Sequence, residues 1–79
     1  MNVKADGYWR RLKLRLGLDG GLKPMEYEIY NGTIVFWFED PLVVKKIVKK
    51  MKEIGLEYSV QWDKDEGLTG ISLKRQELH

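Results

Sequence analysis

The apolar and polar residues between Tyr27 and Phe38 follow the pattern of a β-hairpin. Two apolar-rich runs flank Asn31-Gly32, and this pair favours a type I′ turn because both central residues of such a turn need a positive φ. The second run, which begins at Ile34, is apolar without interruption, so neither face of that strand suits water. We therefore predict a hairpin whose second strand lies in the middle of a sheet.

A helix is predicted to follow the hairpin over residues 41–54. Asp40 can accept backbone N–H groups as the N-cap, and Pro41 suits the first helical turn. Gly55 stands where a helix commonly ends in the left-handed conformation. The apolar residues recur at the i, i+3, i+4, i+7 spacing of one helical face: Val44, Ile47, Val48, Met51 and Ile54.

The remainder of the chain has the alternation of two more half-buried strands. The alternating apolar positions are Leu56, Tyr58, Val60 and Trp62, followed by Ile71 and Leu73. The polar segment 63–67 reads as the turn between these strands. Residues 1–7 and 76–79 carry no such pattern, and we predict that they are disordered tails.

Residues 8–18 fit two patterns. Four leucines alternate with polar residues or glycine, as in a half-buried strand: Leu12, Leu14, Leu16 and Leu18. Trp9, Leu12 and Leu16 also share one helical stripe, with Asp6 as a candidate cap. We favour the strand, because the other two leucines would spread the apolar face of a helix widely.

These patterns predict a single α+β domain: an antiparallel sheet with one helix packed on one face, in the order β-β-β-α-β-β. If residues 8–18 are helical instead, the order becomes α-β-β-α-β-β. A chain of 79 residues buries only about 60% of its unfolded surface and is marginally stable alone. Dimerisation would therefore help it.

The composition favours a soluble, cytoplasmic protein. The chain has no cysteine, which excludes disulfides and cysteine-based zinc sites. It has no apolar run of the roughly 18 residues that a membrane span needs, and no signal-peptide core. Charged residues make up 33% of it, while Asn and Gln are scarce, a balance typical of thermophilic proteins.

Candidate catalytic and metal-binding residues are few, and we predict no catalytic site, no metal site and no cofactor. The single histidine, His79, is terminal, and the glycines match no phosphate-binding loop. Glu26 and Glu28 lie two residues apart on a strand, where carboxylates are usually solvated. Counted from Asp63, the chain lacks the glycine at the sixth position and the bidentate glutamate at the twelfth position of a calcium loop, which favours a plain hairpin turn.

The charge is unevenly distributed. Segments 1–23 and 41–54 each carry +4, although the whole chain has a net charge of +2. Such clusters predict phosphate contacts, because nucleic-acid affinity depends largely on Lys and Arg neutralising phosphates. The candidate nucleic-acid-binding residues are Arg10, Arg11, Lys13, Arg15, Lys45, Lys46, Lys49 and Lys50, with Lys52 on the same helix. We expect a non-enzymatic nucleic-acid-binding protein, with DNA preferred to RNA.

The sheet face opposite the predicted helix is expected to expose aromatic residues. Tyr30, Val35 and Trp37 would form an uncovered patch there, and closed two-fold dimers are a common way to bury such a patch. The sequence therefore predicts a homodimer with these three residues at its interface. The alternative function is a protein-interaction or inhibitor module that acts through the open sheet face or an edge strand, such as an accessory protein of a mobile element.

From Gly32 to Glu77, the order strand, helix from Asp40-Pro41, KEIGLEYSV, turn and GLTGISLKR resembles the second half of a LAGLIDADG-type homing endonuclease repeat. With residues 8–18 helical, the whole chain would resemble one α-β-β-α-β-β repeat. The resemblance implies DNA binding by the sheet face and pairing through the first helix. In that family an acid near the end of the first helix binds the catalytic metal. Asp19 is the nearest acid here, and the spacing around it does not match, so nuclease activity is not implied.

Overall fold

The computed structural model describes residues 3–78, which form two α-helices, a short 3₁₀ helix and a four-stranded antiparallel sheet. Helix α1 spans Val3–Leu16 and precedes a hairpin of β1 (Glu26–Tyr30) and β2 (Thr33–Phe38). Helix α2 (Pro41–Glu53) leads to β3 (Ser59–Asp63) and β4 (Leu68–Lys74), and the 3₁₀ helix covers Arg75–Leu78. The described chain is therefore α+β in the order α-β-β-α-β-β.

The hairpin and α2 lie where the sequence pattern predicts them. Asn31 and Gly32 have φ values of 45° and 74°, as a type I′ turn requires. The N–H of Leu42 donates to Asp40 Oδ1 at 2.9 Å, which caps the start of α2. At the other end Gly55 adopts a φ of 71°, the left-handed conformation that glycine takes at little cost. Local signals therefore set the bounds of both elements.

The strands are arranged in the order β1-β2-β4-β3, so β2 lies in the middle of the described sheet, as predicted. Strands β2 and β3 both run antiparallel to β4, so they run parallel to each other, and α2 crosses over β4 to connect them. Both α-helices pack on one face of the sheet, where Leu12 and Ile47 meet Phe36 and Ile71 in the main core.

The prediction of a strand at residues 8–18, and with it a five-strand sheet carrying one helix, is wrong. Residues 8–16 belong to α1, as in the helical alternative. Trp9, Leu12 and Leu16 are buried along one stripe, whereas Leu14 is 78% exposed, so the leucine alternation does not define a strand face. Leu, Arg and Lys, which fill this segment, have high helix propensity, and no β-branched residue opposes the helix.

The disorder predicted for residues 1–7 and 76–79 stays a prediction, and the structure describes most of these residues as helical. Residues 3–7 belong to α1, while Met1, Asn2 and His79 lie outside the described part of the chain. Residues 76–78 belong to the 3₁₀ helix, whose Leu78 is only 1% exposed and enters the main core. The C-terminal segment is thus an integral part of the fold.

Candidate nucleic-acid interface

Helix α2 has a buried apolar side and a basic side. Val44, Ile47 and Met51 form the buried side, because they recur at helical spacing above the sheet. The rest of the helix carries five lysines, which we call the α2 lysine face: Lys45, Lys46, Lys49, Lys50 and Lys52. Lys50 is partly buried and the other four are exposed. The structure therefore brings the predicted lysines together on one helix.

The α2 lysine face consists of two rows. Lys46 and Lys50 line a depression against the loop that follows α1. Lys45, Lys49 and Lys52 form the outer row, which extends for about 10 Å at a helical rise of 1.5 Å per residue. The outer row lies around the helix from Lys46 and Lys50, away from the α1 side.

Strand β3, an edge of the described sheet, carries two exposed apolar residues. Val60 and Trp62 pair with Ile71 and Thr69, which puts them on the helix side of the sheet. They are nevertheless 52% and 67% exposed. Helix α2 packs on β2 and β4, so the edge strand extends beyond its cover. The alternation of β3 is confirmed, but the expectation that both residues are covered is wrong.

The second predicted basic cluster, on α1, makes mostly hydrogen bonds to backbone carbonyls of its own chain. Arg11 Nη1 donates to the carbonyl oxygen of Leu78 at 3.3 Å, and Arg15 donates to that of Glu77. Lys13 Nζ donates to the carbonyl of residue 20 at 3.3 Å. The Arg11 guanidinium also lies 5.8 Å from the centre of the Tyr8 ring, within cation–π range. These side chains turn towards the C-terminal helix and a loop, so they do not extend the α2 lysine face.

The fourth member of that cluster, Arg10, is exposed. Its neighbour Trp9 is a core residue. The Trp9 ring packs against Phe36 and Phe38, with centroid distances of 5.2 and 5.6 Å, and its Nε1–H donates to the carbonyl of Leu22 at 3.0 Å. Trp9 is therefore not placed to stack on a ligand.

The sheet face opposite the helices contains a small core of its own. Val35, Trp37 and Leu68 are buried together there, and Trp37 is only 7% exposed. Its Nε1–H donates to Glu28 Oε1 at 2.9 Å. Its ring lies over Gly70, where an added Cβ would come within 2.8 Å of Cε3 and Cζ3. Trp37 is thus covered without a second subunit and without α1.

The predicted dimer interface assumed that Tyr30, Val35 and Trp37 form an uncovered patch, and the burial of Trp37 shows that this assumption is wrong. Val35 is fully buried, and of the three predicted interface residues only Tyr30 is classed as exposed. The apolar area that a partner could bury at this patch is therefore small. The sequence analysis did not predict that Gly70 and Leu68 lie at this cluster. The available signal was Gly70 itself, because a glycine inside a strand often marks the close approach of another group.

The acidic segment after β3 forms a hairpin turn, as predicted. The N–H groups of Asp65 and Glu66 donate to Asp63 Oδ1 at 3.0 and 3.2 Å. Gly67 follows with a φ of 67°, and its N–H donates to the carbonyl of Asp63 at 2.8 Å. Within residues 3–78, the described side chains include no group of three or more His, Cys, Asp or Glu residues that could hold a metal ion.

One titratable group has a strongly altered acidity. Burial, a hydrogen bond to the Asp6 carboxylate and the charge of that carboxylate raise the pKa of Tyr27 from 10.0 to about 12. Tyr27 lies on β1, and Asp6 lies in the first turn of α1. The bond between them joins the first helix to the β1 edge of the sheet, and this is a structural role.

Comparisons with models of protein families, with curated proteins and with solved structures each found no match to this chain. The LAGLIDADG resemblance therefore stays a prediction. In the described part of the chain, no helix combines the length and the apolar composition needed to cross a membrane.

Proposed function

We propose that this chain is a small nucleic-acid-binding protein that contacts phosphates through the α2 lysine face, by binding and without catalysis. The observation that carries the proposal is that five lysines project from one capped helix whose sequence contains a single acid, Glu53. Lys and Arg supply most of the sequence-independent affinity for nucleic acids. The LAGLIDADG resemblance favours DNA over RNA.

The helix dipole accounts for only part of this charge. Cations stabilise a helix near its C-terminus, and the effect falls off within the last turn. That explanation suits Lys50 and Lys52, which lie in the last turn of α2. It does not apply to Lys45, Lys46 and Lys49, which stand further towards the N-terminus. A phosphate-binding surface would use all five.

The arginines of α1 are expected to make fewer phosphate contacts than the sequence predicted. Arg11 and Arg15 already donate to backbone carbonyls of the C-terminal 3₁₀ helix, and a phosphate would have to compete with those bonds. Arg10 is exposed and could add one contact. We therefore assign the main phosphate contacts to α2.

A salt titration of DNA and RNA binding, followed by mobility shift or filter binding, tests the proposal. The logarithm of the binding constant should fall linearly with the logarithm of salt concentration, by about 0.9 per phosphate contacted on duplex DNA. Changing Lys45, Lys46, Lys49 and Lys50 to Glu should abolish binding and leave the fold intact, because these side chains lie outside the core.

A matched control separates the site from the net charge. Changing Lys23, Lys64, Lys74 and Arg75 to Glu alters the net charge equally, and these four residues are exposed outside α2. The control protein should retain most of its affinity. If the two variants lose affinity equally, binding depends on overall charge. If the wild type does not bind even at about 50 mM salt, where phosphate contacts are strong, the proposal is wrong.

The alternative function is a protein-interaction module, and the open β3 edge favours it. Within the described sheet β3 pairs on one side only, and it exposes Val60 and Trp62. Edge strands of this kind can accept a strand from a partner. A stoichiometric protein partner that survives nuclease treatment and high salt in a pull-down would favour this function over nucleic-acid binding.

A further inference from the structure

We propose that the ligand of this protein is single-stranded nucleic acid and that Trp62 is the residue on which its bases stack. The proposed surface consists of the outer lysine row of α2, Lys45, Lys49 and Lys52, together with Val60 and Trp62 of β3. This inference rests on the nucleic-acid-binding function proposed above and specifies the class of ligand and the site.

The sheet topology sets the level of Trp62 along α2. Strand β3 runs parallel to β2, and α2 returns between them, so α2 runs roughly antiparallel to β3. Trp62, near the end of β3, therefore lies at the level of the N-terminal half of α2. Val60 lies about 7 Å earlier, at two residues of strand rise. Trp62 is thus level with the part of α2 that carries Lys45, on the sheet face that α2 occupies.

The three tryptophans of the chain have different environments. Trp9 and Trp37 are buried, and their Nε1–H groups donate to Leu22 and Glu28. Trp62 is 67% exposed on the helix side of an edge strand. An exposed tryptophan beside a row of lysines has the two elements by which proteins bind single strands, a stacking platform and a cationic track for the backbone.

These groups favour a single strand over a duplex. The bases of a duplex are stacked on one another inside the helix, whereas those of a single strand can be splayed out onto an aromatic side chain. Stacking on Trp62 is therefore available only to unpaired bases. The lysine row alone would contact phosphates of either form.

The test measures the anisotropy of a labelled oligothymidylate of about 15 nucleotides and of a duplex of equal length. Trp62→Ala should weaken single-strand binding roughly five- to 150-fold, as expected for the loss of one stacked base, and leave duplex binding unchanged. Trp62→Phe should restore most of the single-strand affinity. Leu14→Ala, at a comparably exposed apolar residue on α1, should have no effect on either.

Tryptophan emission gives an independent readout. Single-stranded DNA should quench the emission of the wild type through Trp62 and leave the emission of Trp62→Phe unchanged, because Trp9 and Trp37 are buried. Loss of binding in the lysine variant with full affinity in Trp62→Ala would overturn this inference and leave the proposed function standing. Equal weakening of single-strand and duplex binding by Trp62→Ala would also overturn it. If the wild type binds neither single-stranded nor duplex nucleic acid, both the proposed function and this inference are wrong.

Discussion

Trp37 and Trp62 lie on opposite faces of the sheet, and the burial of each differs from its prediction. The sequence pattern predicted that Trp37 would be uncovered within its own chain and that Trp62 would be covered. Trp37 stands on the face without helices and is buried, whereas Trp62 stands on the helix-covered face and is exposed. The face on which a side chain lies is set by alternation along the strand. Its burial is set by what stands next to it across the sheet.

Two neighbours account for the difference. Across from Trp37, β4 contributes Gly70, which has no side chain, so the indole can lie over it in one cluster with Val35 and Leu68. Trp62 lies on an edge strand, whereas α2 packs mainly on β2 and β4. A glycine on one strand and the position of another strand in the sheet therefore decide which tryptophan is available to a ligand.

The largest expected effect is that of Trp37→Ala. Truncating a buried aromatic residue typically costs about 3–5 kcal/mol, and here it also removes the partner of Glu28. Trp62→Ala should change the free energy of unfolding by no more than about 0.5 kcal/mol, as is usual for surface sites. Urea denaturation of both variants gives the two values. Equal losses would show that Trp62 also packs in the fold.

An intermediate effect is expected for Gly70→Ala. The new Cβ would lie 2.8 Å from the Trp37 ring and 2.9 Å from Val35 Cγ1, and overpacking of this kind typically costs about 1–3 kcal/mol. Gly7→Ala is the matched control. Gly7 lies within α1, and a Cβ added there would meet no atom within 4 Å. This substitution should therefore stabilise the protein by roughly 0.5–1 kcal/mol. A neutral Gly70→Ala variant would show that Trp37 does not depend on this gap.

The smallest effect concerns β1, at the opposite edge of the sheet. Helix α1 covers β1, whereas nothing in the described chain covers β3. The folded protein holds the Tyr27 proton up to a pKa of about 12, whereas the unfolded chain releases it near 10.0. The contribution of Tyr27 to the free energy of unfolding should therefore be constant below about pH 10 and fall as the pH rises from about 10 to about 12. Tyr27→Phe should remove this part of the pH dependence.

Melting curves of the wild type and Tyr27→Phe across that pH range test the prediction. The informative quantity is the difference between the two proteins, because it isolates the Tyr27 hydroxyl from the rest of the chain. Tyr30→Phe is the control, because Tyr30 is exposed at the end of the same strand. A wild type and Tyr27→Phe with parallel profiles would contradict the bond between Tyr27 and Asp6.

Much of the fold was predictable where a signal acts within a few residues. The Asn31-Gly32 turn and the Asp40 cap are local interactions, so the sequence pattern located them correctly. Residues 8–18 were mispredicted because their leucines fitted a strand as well as a helix, and the burial of Trp9 against Phe36 and Phe38 is not visible along the chain. The predicted lysines lie together, since one helix carries them all. The arginines were predicted as ligands because their carbonyl partners lie more than 60 residues away.

The sequence alone determined the hairpin, the amphipathic helix α2 and its lysines, because turn chemistry, capping and helical periodicity depend on near neighbours. The tertiary structure decided the order β1-β2-β4-β3, the use of Arg11 and Arg15 to hold the C-terminal segment, and the exposure of Trp62. These features depend on which segments meet across the chain. Alternation specifies a side of a strand, but only strand order and neighbouring side chains specify what covers it.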